Sequence, residues 1–112
     1  MNKELKKKIF VIYSTRDPYI NKKSLSNIYN DLQNYGNVFI DLLHNTSVNK
    51  QEYVLKKLNE SSHIVIIDSP RITESKWAQL EIKIAKEQNK QIFGYYEVKF
   101  VDNKVLLEFK KQ

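Results

Sequence analysis

The sequence predicts an α/β protein built as a three-layer sandwich, with a central, mostly parallel sheet and helices on both of its faces. Two observations support this fold. Short runs of β-branched and aromatic residues alternate along the chain with segments whose apolar residues have helical spacing. The run HIVIID at 63–68 is apolar on both faces, which is typical of a central parallel strand covered by helices on both sides.

The first half of the chain predicts two strands separated by a helix. KKIFVIY at 7–13 is expected to form the first strand, after a basic tail at residues 1–7. The following helix is expected to end at Gly36 in a C-cap position, and NVFID at 37–41 to form the second strand. The apolar positions of this helix are Leu25, Ile28, Tyr29, Leu32 and Tyr35.

The second half continues the alternation. Ser47 or Asn49 can cap a second helix, which the strand at 63–68 follows. A third helix is expected at 76–88 and a fourth strand, QIFGYY, at 91–96. The inner face of the second helix is expected to hold Tyr53, Val54, Leu55 and Leu58.

Residues 97–112 predict a hairpin at the edge of the sheet, because two strand-like runs flank a turn at Asp102 and Asn103. Repeated strand–helix units with short connections favour right-handed crossovers. We therefore expect residues 1–112 to form a single flavodoxin-like domain with strand order 2-1-3-4-5, in which the first and third strands are neighbours.

The composition restricts the possible functions. The chain of 112 residues has no cysteine, which excludes disulfide and thiolate chemistry and suits a cytoplasmic protein. Its first apolar run, 9–13, is too short for a signal peptide, and no segment approaches the ~18 apolar residues of a membrane span. The net charge of +6 comes from lysines at both ends and on helix faces, without a nucleic-acid motif. We expect neither a membrane nor a nucleic-acid partner.

A ligand is expected beyond the carboxyl ends of the strands, where the strand order reverses. The loops after the first and third strands, YSTRDP and DSPRITES, would face one crevice there. They hold Arg16 and Arg71, the only arginines among 19 basic residues. Because the planar guanidinium group suits phosphate or carboxylate, both arginines are candidate ligand-binding residues.

Several common site types are absent from the sequence. With two glycines in the chain, neither a GxGxxG motif nor a Walker loop can be built. A nucleotide would therefore need side chains and the backbone N–H groups of helix starts, such as those after Asp17-Pro18 or Glu74-Ser75. His44 and His63 are too few for a convincing metal site, and no GxSxG elbow exists.

The segment SPRITESKWAQLE at 69–81 places Glu81 one helical turn after Trp77. At this spacing the two side chains share a helix face, with Cβ atoms roughly 5–6 Å apart. An acid held against an indole on an otherwise apolar helix is either a residue at the core boundary or a reactive carboxylate.

Three segments together resemble the TIR (Toll/interleukin-1 receptor) family. FVIYSTRD at 10–17 resembles its opening strand and box, and YGNVFID at 35–41 resembles its second-strand region. SPRITESKWAQLEIKIA at 69–85 resembles the S-x-W-x-x-x-E stretch in which bacterial enzymatic TIR domains keep their catalytic glutamate. The resemblance spans most of residues 8–96.

The resemblance implies an enzyme that cleaves the nicotinamide–ribose bond of NAD+, giving ADP-ribose or a cyclic form as a signal in bacterial antiphage defence. NAD+ is the substrate, no prosthetic group is implied, and self-association or contact with other TIR-containing proteins is expected. Glu81 aligns with the catalytic residue. Candidate substrate-binding residues are Ser14, Arg16, Asp17, Arg71 and Trp77.

The chain departs from the family pattern in two places. The loop DLLHNTSVN at 41–49 is short and lacks the usual Arg-Asp and Pro-Gly elements, which puts the family's packing mode in doubt. The hairpin at 97–112 replaces the expected last helix–strand pair.

Simpler structural roles remain open for the same residues. Glu81 can be a boundary carboxylate paired with Lys76 or Lys83, and Trp77 a core residue that packs with Leu80 and Ile84. Asp17 can cap the first helix, with Pro18 in its first position. The remaining polar side chains of the rim can satisfy turns, loops and caps; they are Asp41, Asp68, Ser69 and Ser75.

Two other functions also remain open. One is a non-catalytic TIR module that assembles with like domains and tolerates Glu81→Ala. The other is an N-glycosidase resembling nucleoside 2-deoxyribosyltransferases, in which a glutamate attacks the sugar directly. Those enzymes carry an Asp-Gly pair and a further aspartate before the glutamate, and DSPRITESKWAQLE contains neither.

Overall fold

The computed structural model describes residues 7–112 as a five-stranded, mostly parallel sheet with helices. Of the predicted basic tail, residues 1–6 lie outside this range and Lys7 begins the first strand. The strands are β1 (Lys7–Ile12), β2 (Gly36–Phe39), β3 (His63–Asp68), β4 (Gln91–Val101) and β5 (Lys104–Lys111). The helices are α1 (Lys22–Leu32), α2 (Asp41–His44), α3 (Lys50–Glu60) and α4 (Lys76–Glu87), with a 3-10 turn at Ile72–Glu74.

The strand order is β2-β1-β3-β4-β5, as predicted. Strands β1 to β4 are parallel, and β5 runs antiparallel to β4. Because the first and third strands are neighbours, the loops that follow them meet at the carboxyl edge of the sheet. This is the edge at which parallel sheets bind ligands.

The core consists of two clusters on opposite faces of the sheet, as the alternation along β1 shows. Ile9 and Val11 belong to one cluster, which α1 covers, whereas Phe10 and Ile12 belong to the other, which α3 and α4 cover. Successive side chains of a strand point to opposite faces, so a strand buried on both sides must be apolar throughout.

Helix α1 begins later than Asp17-Pro18 predicts. Asn21 is its N-cap: its side chain accepts the Ser24 N–H, and the Ser24 hydroxyl accepts the Asn21 N–H in return. This reciprocal arrangement satisfies two donors at the helix start. Asp17 therefore does not cap α1, and no helix start follows Pro18 directly.

The predicted C-cap role of Gly36 is wrong. Helix α1 ends at Leu32, and Gly36 is the first residue of β2, paired with Lys7 of β1. A Cβ at this position would collide with the Lys7 carbonyl, so glycine permits the close approach of two strands rather than a left-handed turn. Tyr35, predicted on the inner face of the helix, lies beyond it and is 43% exposed.

The region after β2 also differs from its prediction. The strand ends at Phe39, and Asp41 begins the short helix α2, which the sequence pattern did not indicate. Asn49, one of two predicted caps, caps α3 by accepting the Glu52 N–H at 3.3 Å. Val54 and Leu58 are buried as expected, but Leu55 is 37% exposed because it lies toward solvent on the helix.

Helix α4 begins at Lys76, as predicted. The Ser75 hydroxyl caps it by accepting the Ala78 N–H at 3.1 Å. Trp77 and Ile84 pack against the second core cluster, whereas Leu80 is exposed and takes no part in that packing. The helix therefore presents Trp77 to the sheet close to the carboxyl edge.

The predicted hairpin is confirmed, with one correction. Asp102 and Asn103 both have positive φ, 50° and 63°, as a tight two-residue turn requires. The segments predicted as separate strands, 91–96 and 97–101, form the single 11-residue strand β4. Its second half extends past β3, whose register ends at Glu97.

Candidate functional site

A cavity of about 410 Å3 opens at the carboxyl edge of the sheet. It lies between the loop after β1, the start of α2 and the first turns of α4. Its volume is within the roughly 300–1,000 Å3 range of small-molecule sites. Four of the six residues predicted from the sequence line it: Ser14, Arg16, Trp77 and Glu81.

Glu81 is the buried acid of this cavity. Only 5% of its surface is exposed, although it is a charged residue type on a surface helix. Burial is the main cause that raises the pKa of this carboxyl to about 8, and the negative charge of Asp41 acts in the same direction. The Trp77 indole, which lowers the pKa, only partly opposes these effects. Burial therefore favours the protonated form of Glu81 at neutral pH.

The alternative of a boundary carboxylate paired with lysine does not fit this geometry. Within residues 7–112, Glu81 forms no ion pair with Lys76, Lys83 or any other cation. A carboxyl that is buried without a cation is expensive unless a ligand or a proton neutralises it. Glu81 thus has the environment of a functional-site carboxyl rather than that of a surface carboxylate.

Trp77 lines two cavities. Its half-buried side chain packs on the second core cluster and also borders the cavity that contains Glu81. The second cavity is smaller, about 180 Å3, and Lys50 and Val54 help to line it. Asp41 and Trp77 belong to both walls. Movement of the indole would therefore alter the shape of both spaces.

Ser14 shapes the loop after β1. It is 5% exposed, and its hydroxyl accepts the backbone N–H of Arg16 at 3.1 Å. This local hydrogen bond turns the chain directly after the strand. Arg16, two residues later, is exposed and lines the cavity wall.

Asp17 and Arg71, the other two predicted ligand-binding residues, do not line the cavity. Asp17 is 6% exposed, and its Oδ2 accepts the backbone N–H of Arg71 at 2.9 Å. The Arg71 guanidinium group pairs with Glu74 at 2.9 Å and donates to the Arg16 carbonyl at 3.3 Å. These two residues join the loops after β1 and β3, and their charged groups are engaged within the protein.

Tyr13 and Asp41 also line the cavity, and the sequence reasoning did not select them as site residues. The Tyr13 hydroxyl accepts the Leu42 N–H at 2.8 Å, and burial raises its pKa, so its own proton remains available for donation. Asp41 Oδ1 accepts from the Asn45 side-chain amide at 2.7 Å. Both residues directly follow buried segments at the carboxyl edge of the sheet. This position was the feature of the sequence from which they could have been selected.

The arrangement places two carboxyl groups and a phenol around one space. The Tyr13 pKa is raised mainly by burial and in part by the charges of Asp41 and Glu81, as expected for groups that share a cavity. A cation that enters this space would be attracted to both acids and would favour the ionised form of Glu81. The cavity can therefore stabilise positive charge on a bound molecule.

Other kinds of site have less support. Among residues 7–112, no cluster of three or more potential metal-ligating side chains exists. In the same part of the chain, no helix is both long enough and apolar enough to cross a membrane. Comparison with protein-family models, curated proteins and solved structures gave no match to this chain. The function is therefore inferred from the residues and geometry of the cavity.

Proposed function

We propose that this protein is a TIR-type NAD+ glycohydrolase or cyclase that releases nicotinamide and forms ADP-ribose or cyclic ADP-ribose. The proposal includes the flavodoxin-like, three-layer form of the α/β fold. The observation that carries it is Glu81, a buried carboxyl without a cationic partner, on the wall of a cavity beside Trp77.

The chemistry needs a single well-placed acid. When the bond between nicotinamide and ribose breaks, nicotinamide leaves with the bonding electrons as a neutral base. Positive charge then develops on the ribose as an oxocarbenium ion, which a nearby carboxylate stabilises. Water completes hydrolysis and loses a proton to solvent, whereas attack by an adenine nitrogen gives the cyclic product.

The raised pKa of Glu81 is compatible with this role. Without a cation beside it, the neutral form of the carboxyl is favoured, because burial penalises its charge. The nicotinamide group of NAD+ is cationic, so its arrival favours the ionised carboxylate. The charge of Glu81 would then be stabilised where and when the cation is present, in a cavity of low local dielectric.

The other residues have supporting roles in this proposal. Arg16, on the cavity wall, is the candidate for the pyrophosphate, and Trp77 shapes the space next to the ribose. Asp17 and Arg71 hold the two loops together instead of contacting the dinucleotide. Tyr13 can donate a hydrogen bond to a substrate oxygen or to a carboxylate.

The test measures nicotinamide release from NAD+ by the purified protein and by Glu81→Gln. We expect the variant to lose at least about 100-fold in turnover, because a neutral amide cannot stabilise the oxocarbenium ion. Glu87→Gln is the matched control, since it makes the same change on an exposed position of the same helix. Equal turnover by wild type and Glu81→Gln would remove the catalytic assignment.

Activity should also be measured after forced clustering, for example by fusion to an inducible oligomer. Enzymes of the TIR family often act only when oligomerised, and the proposal includes self-association in cytoplasmic defence signalling. A wild-type protein that releases no nicotinamide even when clustered would favour the alternative of a non-catalytic assembly module.

A further inference from the structure

The outer edge of β5 is not covered by another strand among the residues that the structure describes. This strand is the last in the sheet and pairs with β4 alone, and among residues 7–112 no further strand lies beside it. Free edges present unpaired N–H and C=O groups, which can pair with another chain.

The hydrogen bonds of the hairpin show which backbone groups face outward. The Gln112 N–H donates to the Phe93 carbonyl at 2.9 Å, in the register that pairs Gly94 with Lys111. Antiparallel pairs alternate between hydrogen-bonded and non-hydrogen-bonded positions. The odd-numbered residues of β5 consequently direct their N–H and C=O groups to the free edge: Val105, Leu107, Phe109 and Lys111.

The same hairpin carries an unusual number of exposed apolar side chains. Phe100 is 64% exposed and Leu106 is 49% exposed, although both lie in regular strands. Val101 and Val105, close to the turn, are exposed as well. By the hairpin register, Phe100 and Val105 lie on one face and Val101 and Leu106 on the other, so apolar groups are exposed on both faces beside the outer edge of β5.

We propose that β5 pairs antiparallel with β5 of a second copy of this chain, about a two-fold axis at Leu106. In this register Leu106 lies opposite its own copy, and Val105 lies opposite Leu107. Lys104 lies opposite Glu108 of the second copy, and the symmetry creates that ion pair twice. The two sheets would thereby become one continuous sheet. This inference does not depend on the proposed enzymatic function.

Charge and strand length favour this register over its neighbours. Moving the axis to Leu107 would place Lys104 opposite Lys110, and moving it to Val105 would leave only residues 104–106 paired, because β5 begins at Lys104. An axis at Glu108 would oppose that carboxylate with its own copy. Like charges directly opposite each other destabilise a strand pair, so the axis at Leu106 is favoured.

The groups needed for the new ion pair are present and compatible with existing contacts. Glu108 already forms ion pairs with Lys99 at 2.7 Å and with Lys110 at 2.9 Å. Its two carboxylate oxygens can accept a further hydrogen bond. These lysines hold the pKa of Glu108 at about 2, so it is charged at neutral pH. Within residues 7–112, Lys104 forms no ion pair in the single chain.

The test is sedimentation equilibrium of the full chain over a range of concentrations. Wild type is expected to form a concentration-dependent dimer. Lys104→Glu and Glu108→Lys should each weaken the dimer by about tenfold or more, because each places like charges opposite each other twice. Lys56→Glu, an equal charge change on the exposed face of α3, is the control and should dimerise like wild type.

Mixing the two charge variants provides the decisive measurement. When a Lys104→Glu chain pairs with a Glu108→Lys chain, each new carboxylate faces a new ammonium group, and the native Glu108 of the first chain faces the native Lys104 of the second. A heterodimer should therefore form where each variant alone is monomeric. Restored association would support the proposed register, whereas failure of the mixture to associate would overturn it.

A backbone variant separates strand pairing from packing of the apolar faces. Val105→Pro removes an N–H that faces the free edge and does not bond to β4. We expect loss of the dimer with the circular dichroism of the folded chain retained. A wild type that stays monomeric at all concentrations, or a Val105→Pro dimer of unchanged strength, would refute the proposal.

Discussion

The carboxylate of Asp17 accepts a hydrogen bond from the backbone N–H of Arg71 at 2.9 Å, across 54 positions of the chain. Asp17 lies in the loop after β1, and Arg71 lies in the loop after β3. The Arg71 guanidinium group returns a second bond to the Arg16 carbonyl. Two loops that follow neighbouring strands are thus joined beside the candidate site, which restricts how far the cavity wall can move.

Removal of the Asp17 carboxylate should destabilise the protein. Asp17→Ala removes the acceptor of the Arg71 N–H, and a hydrogen bond to a charged group contributes roughly 1.5–3 kcal/mol. Chemical denaturation followed by circular dichroism measures the loss. Asp31→Ala, on an exposed position of α1, is the control and should change the free energy of unfolding by less than about 0.5 kcal/mol. Equal stability of both variants would contradict the structural role of Asp17.

The pH profile of NAD+ cleavage should report the pKa of Glu81. Since kcat/KM depends on the free enzyme, it should rise with pH and level off above the Glu81 pKa of about 8. Asp41→Asn removes a negative charge that raises this pKa, so its profile should rise at lower pH. A profile that is flat across this pH range would be inconsistent with an ionised Glu81 in catalysis.

Folding stability should fall as the pH rises past the ordinary pKa of a glutamate. The folded state keeps the Glu81 proton up to about pH 8, whereas the unfolded chain releases it near 4.5. The wild type therefore loses folding stability between these two pH values. Glu81→Gln has no carboxyl group at this position and does not show this loss. Thermal melts at several pH values should show an advantage of the variant that grows from about pH 5 to about pH 8. A constant difference would indicate that the pKa of Glu81 is not raised in the folded state.

Gly94 should not tolerate a side chain. A Cβ on this residue would lie 2.6 Å from Phe109 Cε1 and 2.8 Å from the Lys110 carbonyl oxygen, closer than such atoms can pack. Gly94→Ala should therefore destabilise the β4–β5 pair by about 1–3 kcal/mol, as overpacked sites do. Val101→Ala, an exposed change in the same strand, is the control. Unfolding in denaturant compares the two variants.

Much of the fold could be predicted from residue patterns. Apolar runs located the parallel strands, and the spacing of Trp77 and Glu81 placed both on one face of α4, where they border the same cavity. The turn at Asp102 and Asn103 was also readable, because these residue types accept positive φ. Such signals are local, since they depend on periodicity and on backbone preferences over a few residues.

The roles of other residues depended on tertiary contacts. Gly36 is a residue type that commonly ends helices. Here glycine is required because β2 approaches Lys7, which is distant in sequence. Asp17 and Arg71 resemble ligand-binding residues, yet the fold directs them to each other. Asp41 and Tyr13 line the same cavity because the strand order brings their loops together. The sequence determined which segments form strands and helices, and the packed structure decided which polar groups face one another, because that depends on contacts between segments far apart in the chain.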